Sequence, residues 1–173
     1  MKIFFFVIFF CFFSFNSQAI NIAIFQYSLI FYNSIQYKEF QKKLNTIKKK
    51  IFNNLKKDEE KLLKKKKEIE DSKVILTKSE FEKKTLEYNI ETNKFESNVD
   101  KVNNYIQSNI EFNENIILNE IVQIVEKISI EKKIDLVFNE NQYFISSEDI
   151  NISNIIIQKL NKTKLELNLS DFE

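Results

Sequence analysis

The stretch at residues 134–161, IDLVFNENQYFISSEDINISNIIIQKLN, predicts two strands followed by a helix and decides how the chain folds at its C-terminal end. Within residues 134–138, apolar side chains recur at every second position, which is the period of a strand. Residues 139–141 form a short polar connector, because asparagine tolerates the backbone conformations of tight turns. Residues 142–146 then predict a second strand, so the two strands are expected to pair as a β-hairpin.

A short helix is predicted to follow, at about residues 152–161. Asp149 or Asn151 can cap it, since both side chains accept hydrogen bonds from the free N–H groups of a first helical turn. Its apolar residues share one face that other parts of the chain must cover, namely Ile152, Ile155, Ile156 and Leu160.

The first 19 residues predict a secretory signal peptide. One positively charged residue precedes a largely apolar run at residues 3–15, and small residues follow at Ser17 and Ala19. This order is typical of a signal that is cut after the last small residue, here between Ala19 and Ile20. The alternative is an uncleaved membrane anchor, but a spanning helix needs about 20 apolar residues. We therefore expect an exported protein.

The residue types that are missing exclude several kinds of chemistry. The sequence has no His, Gly or Pro, and its one Cys and one Met lie within the predicted signal peptide. The mature chain would then contain no disulfide, no Cys–His or Ser–His nucleophile pair, and no zinc or iron site of the usual kind. Without Gly it cannot form a glycine-rich phosphate loop. We expect neither an enzyme nor a bound cofactor.

Charge is unevenly distributed along a predicted mature chain that has 25 Lys and 25 acidic residues. Residues 38–70 carry 13 Lys against 6 acidic residues, whereas residues 134–173 carry 3 Lys against 7. A basic segment in a neutral exported chain indicates a local electrostatic surface and argues against a nucleic-acid partner.

The middle of the chain predicts a long antiparallel helical hairpin, the arm, over residues 36–114. Apolar residues recur there at steps of three, four or seven, which is the spacing of a narrow coiled-coil-like seam between two helices. The turn is placed within residues 71–79. Two capping boxes fit the restart of the helix, Thr77 with Glu80 and Ser79 with Glu82.

A small strand-rich body is predicted at the base of the arm, from residues 20–35 and 115–161. It comprises an apolar strand at residues 20–25, the hairpin, a thick apolar helix end and the short C-terminal helix, so the fold class is α+β. Open strand edges favour pairing between copies of the chain. The candidates for the body core and for contacts between copies are Ile22, Ile24, Ile117, Ile121, Ile124, Ile128, Leu136 and Phe138.

This order of elements and its local motifs resemble the Skp (OmpH) family of periplasmic chaperones. Residues 135–137 read DLV, as in the family's first C-terminal strand, and Asn151-Ile152-Ser153 stands where the family has Asp-Ile-Thr. Residues 73–97, KVILTKSEFEKKTLEYNIETNKFES, look like the family's turn and returning arm. The resemblance covers nearly the whole mature chain. The tail, residues 162–173, lies beyond it and is assigned no role.

The resemblance implies a function as well as a fold. Family members are homotrimers whose strands form a shared body and whose arms enclose a cavity. It implies an ATP-independent holdase in the periplasm, which binds unfolded outer-membrane β-barrel proteins and prevents their aggregation. The alternative is a structural coiled-coil adaptor or spacer of the envelope with a fixed protein partner, which would keep a continuous seam and need no strand-rich body.

A cluster of lysines near the tip of the outgoing helix is the candidate for client contact. Its positive charge would attract acidic unfolded clients or lipid headgroups. The alternative is an ordinary solvated helix face. The lysine cluster consists of Lys56, Lys57, Lys61, Lys64, Lys65, Lys66 and Lys67.

Overall fold

The computed structural model describes residues 19–172 of the chain. The predicted signal peptide lies outside the described residues except for Ala19, and cleavage before Ile20 stays a prediction. The described part contains two short strands and four α-helices. These elements are β1 (Ile22–Phe25), α1 (Tyr27–Asn33), α2 (Ile35–Ser72), α3 (Lys78–Lys132), β2 (Leu136–Asn139) and α4 (Ser153–Leu160), with a 3-10 helix at Glu148–Ile150 before α4.

The two strands pair in parallel, although more than a hundred residues separate them. Ile22 lies opposite Leu136, and Phe25 lies opposite Asn139. A parallel pair needs a long crossover connection, and here the long helices supply it. The segment before α4 borders the other edge of β1, where the Ile152 N–H donates to the Ile24 carbonyl oxygen at 2.9 Å. The sheet therefore joins the N-terminal strand to two segments from the C-terminal part of the chain.

The predicted β-hairpin is wrong, because residues 142–146 form no strand and β2 pairs with β1 instead. The turn itself is present, since the Gln142 N–H donates to the Asn139 carbonyl oxygen at 2.9 Å. The Asn139 N–H donates to the side-chain oxygen of Gln142, also at 2.9 Å. The Asn139 N–H is therefore already bonded to a side chain, so it is not available to pair with a second strand of a hairpin. Phe144 and Ile145 are left exposed to solvent.

The connection between α2 and α3 lies at residues 73–77, inside the predicted range of 71–79. Thr77 caps α3, and the capping box with Glu80 forms: Glu80 accepts the Thr77 N–H at 3.0 Å, and the Thr77 hydroxyl accepts the Glu80 N–H at 3.4 Å. Of the two boxes that the sequence allows, this one starts the helix, because it satisfies two otherwise free N–H groups at the helix start.

The end of α3 and the start of α4 are capped without glycine. Lys133 ends α3 in the left-handed conformation, with φ 53° and ψ 47°. Asn151 accepts the Ser153 N–H at 3.0 Å just before α4, although the N-cap position itself is Ile152. The side-chain oxygen of Asn151 thus bonds the first turn of α4, as the sequence suggested, from one position further back.

The long helices contact each other from the body toward the connection. Near the body, the Tyr37 hydroxyl donates to Glu114 at 2.5 Å. Farther out, the Lys65 ammonium donates to Glu91 at 2.7 Å. Lys65 occupies a seam position that should be apolar, and its ion pair with the other helix replaces the missing apolar contact. The buried apolar residues of α2 are Phe40, Leu44, Leu55 and Ile69.

The core lies where β1, α1, the start of α2, the C-terminal part of α3, and α4 meet. Of the predicted core residues, Ile24 is buried, as are the four isoleucines of α3, and Phe138 is partly buried. Ile22 and Leu136 do not belong to it, with 41% and 47% of their surface exposed. They are register partners at the start of the sheet, where no helix covers them. The residues of α3 in the core are Ile117, Ile121, Ile124 and Ile128.

The tail belongs to the folded structure, beyond the body boundary predicted at residue 161. Leu167 is buried in the core, and Leu165 and Leu169 pack against it. The tail lies on α3, where it reaches as far as Tyr105.

Candidate functional site

The lysine cluster lies on the exposed surface of α2. Six of its seven members are exposed, and Lys65 is partly buried in its pair with Glu91. Lys61 pairs with Asp58 at 2.8 Å, while Lys64 lies 3.9 Å from Glu68. Such pairs between exposed side chains contribute little to stability. The structure thus places the cluster together on one helix and leaves its positive charge open to solvent.

Within residues 19–172, four lysines of the cluster make no ion pair shorter than 4.0 Å. They form two adjacent pairs separated by nearly three helical turns. An exposed ammonium group attracts anionic groups over roughly one Debye length, about 8 Å at physiological salt. The four are Lys56, Lys57, Lys66 and Lys67.

Apolar side chains are exposed beside these lysines, at the connection between α2 and α3. Val74 and Ile75 are 95% and 85% exposed, because the connection extends past the end of the helix pair and nothing covers it. Sequence reasoning missed this site. The signal was present in the apolar residues of a segment that was predicted to be a turn. Further exposed apolar residues nearby on the two helices are Leu63, Leu86 and Ile90.

An open hollow lies between the two helices at the level of the lysine cluster. Leu62 and Phe95 supply its apolar surface. Lys61, Lys94 and Lys101 line it as well, so charge and apolar surface alternate over a short distance. A site of this kind can hold a segment of polypeptide loosely without demanding one particular sequence.

The body exposes apolar residues of its own. The register pair Ile22 and Leu136 stands at the open start of the sheet. Phe144 is fully exposed and Ile145 is 86% exposed in the segment that was expected to be a strand. Exposed apolar residues next to a two-stranded sheet are typical of a contact surface, since such a sheet is marginally stable alone.

The four buried isoleucines of α3 are not part of that surface. Ile117, Ile121 and Ile128 have no exposed area in the single chain, and Ile124 is 3% exposed. They pack against residues of the same chain, including Ile156 and Leu160 of α4. Their expected role in contacts between copies has no support in this geometry, because they are already covered.

The Tyr37–Glu114 pair joins the two long helices at the base of the arm. Burial is the main cause that raises the pKa of Tyr37 to about 12, and the hydrogen bond and charge of Glu114 add to it. Because its pKa is raised, the Tyr37 phenol keeps the proton that it donates to Glu114 up to a higher pH than a free tyrosine would. Tyr37 also contacts Phe31 edge to face, with ring centroids 4.9 Å apart, which ties α1 to this junction.

Across residues 19–172, no helix is both long and apolar enough to span a membrane. In the same part of the chain, His, Cys, Asp and Glu side chains form no group of three or more that could hold a metal ion. What this part of the molecule offers for binding is exposed charge and exposed apolar surface.

These features define a class of mostly helical proteins, in which two long helices accompany a small two-stranded parallel sheet. The sequence model described as "Outer membrane protein (OmpH-like)" matches residues 21–160, and the chain therefore belongs to the OmpH-like family. The resemblance to the Skp (OmpH) family is confirmed. The matched range ends just before the tail.

A solved structure has the same fold. It is the crystal structure of a protein from Caulobacter crescentus described as an outer membrane chaperone (OmpH-like), with a TM-score of 0.69. The two sequences are 12% identical, and the match covers 83% of this chain and 85% of the other. Comparison with curated proteins gives no match.

Proposed function

We propose that this protein is an ATP-independent holdase chaperone of the periplasm, which binds unfolded outer-membrane β-barrel proteins and prevents their aggregation. The observation that carries the proposal is the exposure of lysines and apolar residues together near the end of the arm in a member of the OmpH-like family. The chaperone description of the Caulobacter protein of the same fold supports it.

The proposed mechanism needs no bond-making step. An unfolded β-barrel protein exposes apolar segments that would aggregate with one another. The α2–α3 pair, acting as an antiparallel arm, covers such segments with many weak contacts. Val74 and Ile75 supply apolar contacts, and Lys66 and Lys67 attract acidic groups of the client or lipid headgroups nearby. Because the contacts are weak and numerous, the client stays mobile and can be released without ATP.

Self-association into a homotrimer is part of the proposal. A single arm cannot surround a client, whereas three arms from one shared body can enclose it. Phe144 and Ile145 are the residues proposed to lie between copies, because they are exposed in one chain and belong to a segment rich in residue types that favour strands. Ile22 and Leu136 extend the same apolar surface at the start of the sheet.

The predicted signal peptide gives the proposed location. Mass spectrometry of the protein from an envelope fraction is expected to find Ile20 as the first residue. A chain that still begins at Met1 in that fraction would support a membrane-anchored protein instead.

An arm truncation tests the function. Asp58 and Asn98 line the same hollow, so deleting residues 59–97 and joining these two by a short turn cuts both helices at one level. The body core stays intact, and the variant should fold and self-associate like the full chain. We expect it to lose protection of an unfolded β-barrel protein against aggregation, measured by light scattering without ATP and with a chelator present.

A charge-matched pair of variants tests the lysines separately. Replacing Lys56, Lys57, Lys66 and Lys67 by Gln should slow client capture, most clearly at low salt. The control replaces four exposed lysines of the body and tail by Gln, so the net charge changes equally. Its members are Lys127, Lys132, Lys162 and Lys164. Equal effects of the two variants would show that net charge acts and not the cluster.

The second candidate function is a structural adaptor or spacer of the envelope. The ion pair between Lys65 and Glu91 favours it, because this pair and the buried Ile69 hold the helices together far from the body. A full chain that did not protect clients, while remaining folded, would favour the adaptor over the chaperone.

A further inference from the structure

The tail forms an extended segment along α3. Thr163 donates to Glu120 at 3.2 Å at one end, and Phe172 contacts Tyr105 edge to face at the other, with centroids 5.0 Å apart. These partners are about 22 Å apart along the helix axis. Nine residues of tail cover that length, and a fully extended chain of nine residues would span at most about 30 Å. The tail therefore runs opposite to α3 in an extended conformation, at about three-quarters of that maximum length.

Burial alternates along this segment. Leu165, Leu167 and Leu169 face the protein, and Leu167 is 7% exposed. The residues that alternate with them are exposed to solvent, namely Lys164, Glu166 and Asn168. The surface under the tail thus accepts an apolar side chain at every second position.

Two buried asparagines of α3 bind the tail mainly through its backbone. Asn113 donates from its amide to the Asn168 carbonyl oxygen at 2.9 Å, and Asn109 accepts the Ser170 N–H at 2.8 Å. The Tyr105 hydroxyl donates to the Ser170 carbonyl oxygen at 2.9 Å. Every polypeptide carries these backbone groups. Among the hydrogen bonds that these two asparagines make to the described part of the tail, the ones between Asn109 and the Ser170 hydroxyl depend on a side chain of the tail.

The burial of both amides requires such a partner. Asn113 has no exposed area and Asn109 is 4% exposed. Each amide also donates to a carbonyl oxygen of α3 at 2.7 Å, Asn109 to Tyr105 and Asn113 to Asn109. A buried polar group without a partner is unfavourable, so the bonds to the tail backbone satisfy groups that the tail itself covers. Within the described residues, the Asn113 side-chain oxygen has no donor. The site can accept one more backbone N–H than the tail supplies.

We propose that the face of α3 from Tyr105 to Glu120 is a binding groove for an extended polypeptide with apolar side chains at every second position. The tail occupies this groove in the free protein, and a client segment binds there by displacing it. Transmembrane β-strands have this alternating pattern. The inference rests on the proposed function, and it assigns a client site to the base of the arm and a competing role to the tail.

A peptide-binding measurement tests the groove. The probe is a fluorescent peptide with the sequence of residues 162–173, and a second probe is a transmembrane strand peptide with apolar residues at alternate positions. The control peptide replaces its apolar residues by Asn. A chain that ends at Thr163 should bind both probes at least about tenfold more tightly than the full chain. The reason is that a tethered tail competes at an effective concentration of the order of millimolar.

Point variants in the truncated chain locate the site. Asn113→Leu should weaken binding of both probes by about tenfold, whereas Asn115→Ala, an exposed asparagine of the same helix, should not. Binding no tighter than that of the full chain, or equal binding of the control peptide, would overturn the proposal. Binding of the tail peptide alone would identify a latch for the protein's own tail and would overturn the client site.

A locked tail serves as a test if truncation unfolds the body. The chain from residue 20 has no cysteine. Asn109→Cys combined with Ser170→Cys can therefore form a single disulfide between side chains that already touch at 2.9 Å. The reduced form lacks the Asn109 hydrogen bonds and should bind the strand peptide more weakly than the unmodified chain, and the oxidised form should bind it at least tenfold more weakly than the reduced form. Equal binding by the two forms would refute the groove. Protection of whole clients by both would leave the chaperone function intact, so the two proposals fail independently.

Discussion

Ile121 provides a quantitative test of where the body core lies. Its side chain has no exposed area and packs among residues of its own chain. The change Ile121→Ala removes three carbon atoms, which at about 0.8 kcal/mol each gives roughly 2.4 kcal/mol in lost burial. The cavity that remains adds to this, and buried Ile→Ala changes cost about 2–5 kcal/mol in total. We expect a loss of about 3 kcal/mol in the free energy of unfolding.

Urea denaturation followed by circular dichroism measures this loss. With a denaturant slope of about 2 kcal/mol per M, the midpoint should fall by about 1.5 M. The control is Val122→Ala at the next position, which is 48% exposed and should shift the midpoint by less than about 0.5 M. All chains are compared at one protein concentration, because association changes apparent stability.

The result also separates a core within each chain from a contact between copies. Destabilisation at Ile121 should not change when the protein is diluted, since the residues that cover it belong to the same chain. A charge there, as in Ile121→Asp, should unfold the body outright. The reasoning is refuted if Ile121→Ala shifts the midpoint no more than Val122→Ala does, or if Ile121→Asp yields a folded monomer.

Three further predictions follow from single residues. Phe144→Asp should leave the chain folded but abolish self-association in sedimentation equilibrium, and unchanged assembly would exclude this residue from the contact. Lys133→Gly should raise the free energy of unfolding by about 0.5–1 kcal/mol, because glycine removes the Cβ strain at φ 53°, whereas Lys132→Gly inside the helix should lower it by about 1 kcal/mol. Tyr37 has its pKa raised to about 12, so the folded chain keeps a proton that the unfolded chain loses from about pH 10. Its contribution to stability is thus present below pH 10 and is lost as pH rises toward 12, and the difference between the unmodified chain and Tyr37→Phe, measured by urea denaturation, should shrink over that interval.

The elements with a strong local pattern could be predicted from the sequence. The thick apolar stripe at Ile117, Ile121, Ile124 and Ile128 is a helix face, and burial follows directly from its spacing. The capping boxes predicted two possible starts for α3, and the one at Thr77 is the start that the structure has. Both signals depend on residues close in sequence.

Strand pairing could not be predicted in the same way. The alternation in residues 134–138 indicates a strand but does not name its partner, and here the partner is β1, more than a hundred residues earlier. The side chain of Gln142 takes the N–H on which a hairpin would depend. This hydrogen bond depends on the geometry of one side chain, and the alternation of apolar and polar residues carries no information about it.

The tail shows a signal that was present and not used. Leu165, Leu167 and Leu169 alternate as clearly as the residues of β2 do, and this alternation matches their burial. Asn113 falls in the gap of the apolar stripe between Ile110 and Ile117, where a polar residue on a buried face indicates a hydrogen-bonding partner. The partner's identity required the structure.

The chaperone function is tested by the aggregation of an unfolded outer-membrane β-barrel protein, diluted from denaturant and followed by light scattering. The chain from residue 20 should suppress scattering at a stoichiometry near one trimer per client, without nucleotide or metal. The chain lacking residues 59–97, shown by circular dichroism to be folded, should leave scattering close to that of the client alone. Scattering that the full chain does not reduce, or that both chains reduce equally, would contradict the account.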